Sequence, residues 1–361
     1  MKRSIQQYLK LLWQSVLFWS IAMAMYSIFR YYGIDEEEGF TVIREYSGIQ
    51  GTLRALLGFG TIGALLGILY ATIDFVFDKY VANRILLFYD VLCRTFLYFI
   101  TSVIVFTIIM NIFSELYGIN LDTQPGWWQH NKSFWATILY MVLVSFVFTF
   151  INIAKEKFGK GVFLKMLMGK YRTPQEEKRI FMFLDLKDST TIAENLGHFK
   201  YSQFIQDCFY DLNEVVPKYD AEIYQYVGDE AVLSWSYKKG LANNNCVDLF
   251  FAFQQKKQRK SQYYMDKYGV VPEFKAGLHG GKLMVTEVGV IKKEIAYHGD
   301  VINTSARIQA QCNKHKVRFL ISEKLLQDLK IKTHLTTEFL GSVLLKGKQE
   351  EVKIHTINKV G

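Results

Sequence analysis

Four apolar runs, at about residues 11–29, 55–77, 95–113 and 134–153, leave this chain few ways to fold. Each is close to the ~20 apolar residues needed to cross a ~30 Å hydrocarbon core. Half of the 361 residues are hydrophobic, 28 of them Phe and 22 Tyr, and the excess lies in residues 1–153. This half is therefore expected to be an all-α four-helix membrane domain. The first run is too long for a cleaved signal sequence, and no small-residue cleavage site follows it. The flanks set the orientation. Lys2, Arg3 and Lys10 precede the first run, Lys79, Arg84 and Arg94 mark the second connection, and Lys155, Lys157, Lys160, Lys165, Lys170 and Arg172 follow the fourth. The first connection carries Asp35, Glu36, Glu37 and Glu38, and Trp127 and Trp128 in the third suit an interfacial belt. Positive residues inside place both termini in the cytoplasm of a multi-pass protein of the plasma, or inner, membrane. Gly63 and Gly67 form a GxxxG pair, a spacing that lets helices approach closely. Asp74 lies one turn from Asp78 and Lys79 and is read as reaching the interface.

The net charge of +9 fits cations flanking membrane spans better than a nucleic-acid surface, and no nucleic acid is expected as a partner. Cys93, Cys208, Cys246 and Cys312 show no paired or metal-ligand spacing and read as free thiols of a reducing compartment.

A basic linker over residues 154–178 leads to a second domain, residues 179–361, large enough for its own core. Here strands and helices alternate. Residues 180–186 read as a buried strand, 190–216 as a helix, and 222–227 and 231–235 as strands around Gly228-Asp229, a hairpin dipeptide. Residues 243–267 read as one long helix, 274–283 as a strand, 301–315 as a helix, 317–321 as a strand and 340–357 as a strand pair. The pattern implies an α+β sheet covered by helices.

Asp229 alone is ordinary turn chemistry. Asp185, inside the apolar run Phe-Leu-Asp-Leu, is not, because a lone carboxylate in a buried strand is costly unless paired or bound to a cation. Two such carboxylates far apart in sequence fit divalent metal, which for Mg²⁺ means carboxylates plus phosphate oxygens. Asp188, Ser189 and Thr190 follow, where a helix start would aim backbone N–H groups at a triphosphate. Asn303 and Arg307, four apart, share one helix face, and Arg suits charge on a transferring phosphoryl group. His198, His279 and His298 lack zinc spacing and read as structural or surface residues.

These motifs resemble the class III nucleotidyl cyclases: FMFLDLKDST at 181–190, YVGDE at 226–230, KAGLHGGKL at 275–283, HGDVINTSARIQ at 298–309 and LLKGKQEEVKIH at 344–355. They occur in the family's order. The resemblance implies a ferredoxin-like palm sheet. It also implies a membrane-bound adenylate cyclase that converts ATP to 3′,5′-cyclic AMP and pyrophosphate with two Mg²⁺ or Mn²⁺ per site. Asp185, Asp229 and the carbonyl of Leu186 then hold metal, Asn303 orients the ribose, and Arg307 stabilises the transition state. Lys346, or Lys348, meets the terminal phosphates. The family's site forms between two domains, so a homodimer is implied. The purine-reading positions depart from the family: Gln225 stands where Lys reads adenine or Glu reads guanine, and Ala296 stands where Asp, Thr or Cys is usual. An amide both donates and accepts, so GTP or weak selectivity is the second reading. A catalytically silent dimerisation module is the third.

Overall fold

A stretch of apolar helix can satisfy its backbone polar groups without water, and the chain uses this four times before its first strand. The computed structural model describes residues 2–33, 49–81, 87–117, 132–158, 166, 168–291, 293–333, 335–344 and 350–359. These fall into two compact units, Met1–Ala154 and Lys155–Gly361.

The first unit holds α1 (Lys2–Gly33), α2 (Ile49–Tyr80), α3 (Leu87–Tyr117) and α4 (Lys132–Phe158). Among the described residues, three helices carry windows long and apolar enough to cross a membrane: Leu11–Phe29, Leu53–Phe77 and Tyr89–Ile109. The apolar window of α4, Trp135–Ile151, is shorter. The glycine pair marks where α1 and α2 touch. A Cβ on Gly63 would lie 2.2 Å from the Trp19 carbonyl oxygen, and one on Gly67 2.7 Å from Val16 Cα. Only the missing side chains allow this approach. Trp19 fills the centre, edge-on to Tyr70 at 4.7 Å. The interfacial reading of Asp74 is corrected here. Asp74 is 4% exposed and is bonded inside the unit by Arg94 and Tyr98 on α3, because those partners reach it across the helix contact.

The second unit is one sheet of eight strands: β1 (Gln175–Leu186), β2 (Glu222–Val227), β3 (Glu230–Ser236), β4 (Phe274–Val288), β5 (Glu294–His298), β6 (Phe319–Ser322), β7 (Leu335–Val343) and β8 (Val352–Lys359). The order is β2-β3-β1-β4-β6-β8-β7, with β5 beside the far end of β4. All pairings are antiparallel except β4 with β6. Strand alternation sorts β1 into two faces. Ile180, Met182, Leu184 and Leu186 join the main core with Phe204, Cys208 and Leu212 of α5 (Ser189–Val215), and with aromatic residues of the helices that follow. Phe181, Phe183 and Asp185 face the other way, toward Val301 and Ile302 of a single helix.

The long helix expected over 243–267 is two, α7 (Asn245–Arg259) and α8 (Ser261–Tyr268), after a short α6 (Tyr237–Leu241). The Lys260 N–H donates to the carbonyls of both Lys256 and Lys257, which tightens the last turn of α7. The break lets Tyr264 and Tyr268 donate to Asp211 and Asp207 on α5, at 2.7 and 2.6 Å. The helix expected to reach residue 315 stops early, as α9 (Asp300–Ala310), and α10 (Glu323–Gln327) follows β6. Strand β5 was not expected. It is short and half-exposed, so it carries little hydrophobic signal.

Candidate active site

The site is built on the ends of β1, β2 and β3. In the β1–β3 register Asp185 stands opposite Glu230, and on its other side it faces Lys275 of β4. Asp229 lies in the two-residue turn between β2 and β3, after Gly228 at φ +61°, a conformation that glycine adopts without strain. Three acidic side chains are thus brought together from two distant segments. Burial, then the neighbouring charge of Asp229, drives the Asp185 carboxyl above the usual carboxylate range, and Lys275 only partly offsets this. Glu230 is pushed up to about 7 by burial first and then by Asp185 and Asp229.

Asp185 is held from one side. Gln309 Nε2 donates to Asp185 Oδ2 at 3.0 Å, and Lys275 Nζ stands 3.5 Å from the same oxygen. Lys275 also donates to Asn313 Oδ1 at 3.0 Å. Gln309 reaches the carboxylate because α9 lies hard against β4. A Cβ on Gly277 would sit 2.2 Å from the Gln309 backbone nitrogen.

The turn after β1 swings through Asp188 at φ 56°, and α5 begins at Ser189 without a side-chain cap bond. Asp188 is exposed and pairs with Lys187 at 3.7 Å. Tyr201, one helix segment on, lies near Ser189 and the carboxylates. Burial, then Asp229, raises its phenol, and Asp185 adds to this. Ser189 is half-buried and Thr190 exposed at this helix start. Leu186 is buried and pairs with Phe274.

Asn303 and Arg307 do not join this cluster. Both lie on α9, Asn303 exposed and Arg307 half-buried, on the flank away from Gln309. Among the described residues, no hydrogen bond or ion pair links either to Asp185 or Asp229. Gln225 is exposed on β2 beside a bulge that sets its register, and Ala296 on β5 pairs with Thr286. Lys346 and Lys348 lie outside the described residues. His279 is buried with Nδ1 2.6 Å from Ser322 Oγ.

The donor set fits hard cations. Among the described residues no three His, Cys, Asp or Glu side chains enclose a metal unaided. Two carboxylates that must be completed by substrate oxygens are what Mg²⁺ accepts.

Residues 172–359 match the adenylate and guanylate cyclase catalytic domain, more than half of the chain. The chain belongs to this family. This cyclase-family protein is 33% identical over 217 residues to adenylate cyclase 2 of Rhizobium meliloti, a match covering 60% of each chain. It is 24% identical over 216 residues to adenylate cyclase 1 of the same organism, covering 58% of this chain and 32% of that one. The chain therefore matches less than two thirds of either relative's length. Its fold is similar to that of a bacterial light-regulated adenylyl cyclase, with a TM-score of 0.53 at 16% identity over 64% of this chain and 67% of that one.

Sequence reasoning assigned no role to four neighbours of Asp185 and Asp229: Gln309, Lys275, Glu230 and Tyr201. The first three stand inside or beside quoted motifs. Their roles depend on register and on helix-to-sheet distance, which a linear motif does not carry. Tyr201 had no signal beyond its place on a helix.

Proposed function

We propose that this protein is a membrane-bound adenylate cyclase that converts ATP to 3′,5′-cyclic AMP and pyrophosphate. The observation that carries the reading is the pairing of Asp185 with Asp229 at one sheet end, while Asn303 and Arg307 point away on α9. A chain with both halves of the chemistry but only one half in the cluster calls for a second copy. The homodimer then has two equivalent sites, each with carboxylates from one protomer and Asn303 and Arg307 from its partner. The chain crosses the plasma, or inner, membrane with both termini and the cyclase domain in the cytoplasm. The membrane domain covers residues 1–153, the linker 154–178 and the catalytic domain 179–361.

Asp185, Asp229 and the Leu186 carbonyl would hold two Mg²⁺ or Mn²⁺. When bound, such ions lower the pKa of the ribose 3′-hydroxyl and neutralise phosphate charge. Gln309 and Lys275 fix Oδ2 of Asp185, which leaves Oδ1 for the cation. Asp188, Ser189 and Thr190 receive the phosphates on the uncapped start of α5. Lys346 or Lys348 is assigned to the terminal phosphates. Asn303 orients the ribose. Its 3′-oxygen attacks the α-phosphorus, the bond to pyrophosphate breaks, and the hydroxyl proton passes to solvent. Arg307 meets the charge that builds on the α-phosphate. Gln225 and Ala296 stand at the base. ATP is favoured because the 33%-identical relative is named an adenylate cyclase. The exposed Gln225 amide supports GTP or mixed use as the second reading.

The test uses purified full-length protein with Mn²⁺ and ATP or GTP, quantifying both cyclic nucleotides beside an Asp185→Ala control. Mixing Asp185→Ala with Arg307→Ala should restore about a quarter of wild-type turnover, since about half the dimers are mixed and each keeps one intact site. Complementation absent from a mixture shown to exchange subunits excludes the shared site. Dominant cyclic GMP reverses the substrate and keeps the mechanism. A folded dimer that makes neither product is the silent module.

A further inference from the structure

The first unit contains an ion-pair network that an anchor does not need. Asp74 lies within the apolar window of α2, and Asp90, Arg94 and Tyr98 lie within that of α3. Arg94 Nη1 donates to Asp74 Oδ1 at 3.1 Å, and Arg94 Nε donates to Asp90 Oδ1 at 3.0 Å. Tyr98 donates to Asp74 Oδ1 at 2.5 Å. The guanidinium lies 5.0 Å over the Phe77 ring. Tyr98 stacks on Tyr70 at 4.2 Å, and the Tyr70 hydroxyl meets Ser102 Oγ at 2.5 Å.

The spacing explains the arrangement. Asp90, Arg94, Tyr98 and Ser102 recur every four residues and form one stripe along α3. Tyr70, Asp74 and Phe77 form the matching stripe on α2. Charged groups within a span are costly to bury, and an apolar pair of similar volume would hold two helices at least as well. What the network adds is register. A slip of one helical turn, about 5.4 Å, would break the bonds that cross from α3 to α2 together, from Arg94 and Tyr98 to Asp74 and from Ser102 to Tyr70, so the contact has discrete settings and does not deform gradually. Tyr98 and Ser102 also line a gap between α3 and α4 with Thr95, Met141 and Ser145. The stripe therefore touches α2 on one side and, on the other, the helix from which the chain leaves for the cyclase domain.

We propose that the Asp74–Arg94–Tyr98 clasp is a register lock between α2 and α3 through which the membrane unit sets the turnover of the cyclase. The inference rests on the cyclase reading for its output and on the clasp geometry for its mechanism.

The experiment uses full-length protein in lipid nanodiscs. Asp74→Asn and Arg94→Met should each change turnover with Mn²⁺ and ATP by about fivefold or more at equal folded-dimer content, the range of a typical coupling free energy. Asp74→Glu and Arg94→Lys, which keep the charges, should stay nearer wild type. The double variant Asp74→Asn with Arg94→Met should resemble either single one, because groups acting as a unit are not additive. Tyr98→Phe removes one hydroxyl and gives a smaller change of the same sign, and it serves if the charge variants fail to fold. Spin labels on α2 and α3 report the register directly, and their distance distribution should shift in Asp74→Asn. Folded variants with wild-type turnover and an unchanged distance overturn the lock. So do additive losses that track only melting temperature. If the wild type makes no cyclic nucleotide, the cyclase reading fails, while the distance measurement still decides whether the clasp sets register.

Discussion

Gln309→Leu should weaken metal binding while leaving the proposed ligands in place. The wild-type amide donates to Asp185 Oδ2 at 3.0 Å, and Lys275 shares that oxygen at 3.5 Å. A hydrogen bond to a charged group contributes about 1.5–3 kcal/mol, and losing an outer partner of a metal ligand lowers affinity roughly 10- to 100-fold. Lys275 remains, so the loss belongs at the lower end, about tenfold. The sign with pH follows from Asp185. Burial already holds its carboxyl above the usual range, and loss of the donor moves it further up. The variant stays protonated to higher pH than wild type, so raising the pH should recover metal affinity more in Gln309→Leu than in wild type. Gln309→Glu places a negative charge against Asp185 and should lose more. Mn²⁺ binding is measured by the electron paramagnetic resonance of the free ion, with a non-cyclising ATP analogue present, at three pH values. Wild-type Mn²⁺ affinity in folded Gln309→Leu, alongside clear loss in Asp185→Ala, would refute the positioning argument.

Gly277→Ala places a methyl 2.2 Å from the Gln309 backbone nitrogen, so α9 must lift from β4. It should cost about 1–3 kcal/mol in chemical denaturation and reduce turnover of the folded fraction as well. Arg179→Met leaves Glu222 and Glu177 without the buried guanidinium that bonds both, donates to Ser234 Oγ at 2.9 Å and lies over Tyr297. A loss of about 3 kcal/mol is expected, and a change under ~1 kcal/mol would show that the cluster contributes little. Glu230 has its carboxyl raised to about 7 in the folded protein, against an ordinary 4.5. Its contribution to stability is full below about 4.5 and is lost as pH rises through 7. In metal-free buffer, melting temperature should therefore fall less between pH 5 and pH 8 in Glu230→Gln than in wild type, and identical slopes in calorimetry would remove Glu230 from the account.

Features that rest on local pattern were legible along the chain. Apolar length gave the helices of the first unit, although the apolar window of α4 is the shortest. Alternation and the Gly228-Asp229 turn gave the β2–β3 hairpin and put Asp185 in a strand. The catalytic-domain family was legible from five ordered motifs, because short motifs keep their residue types and order in the chain. Tertiary structure decided what depends on distance between elements. The break at Lys260 reflects two tyrosines reaching for aspartates on α5. Strand β5 exists because β4 runs past β6, which pairs only with Ala276, Gly277 and Leu278, and leaves that edge open. Gln309 orients Asp185 only because Gly277 lets α9 lie against the sheet, and Asp74 is buried because α3 presents Arg94 and Tyr98 to it. A linear sequence records which groups are present. Whether a carboxylate meets water, a metal or an arginine is set by the elements that pack around it.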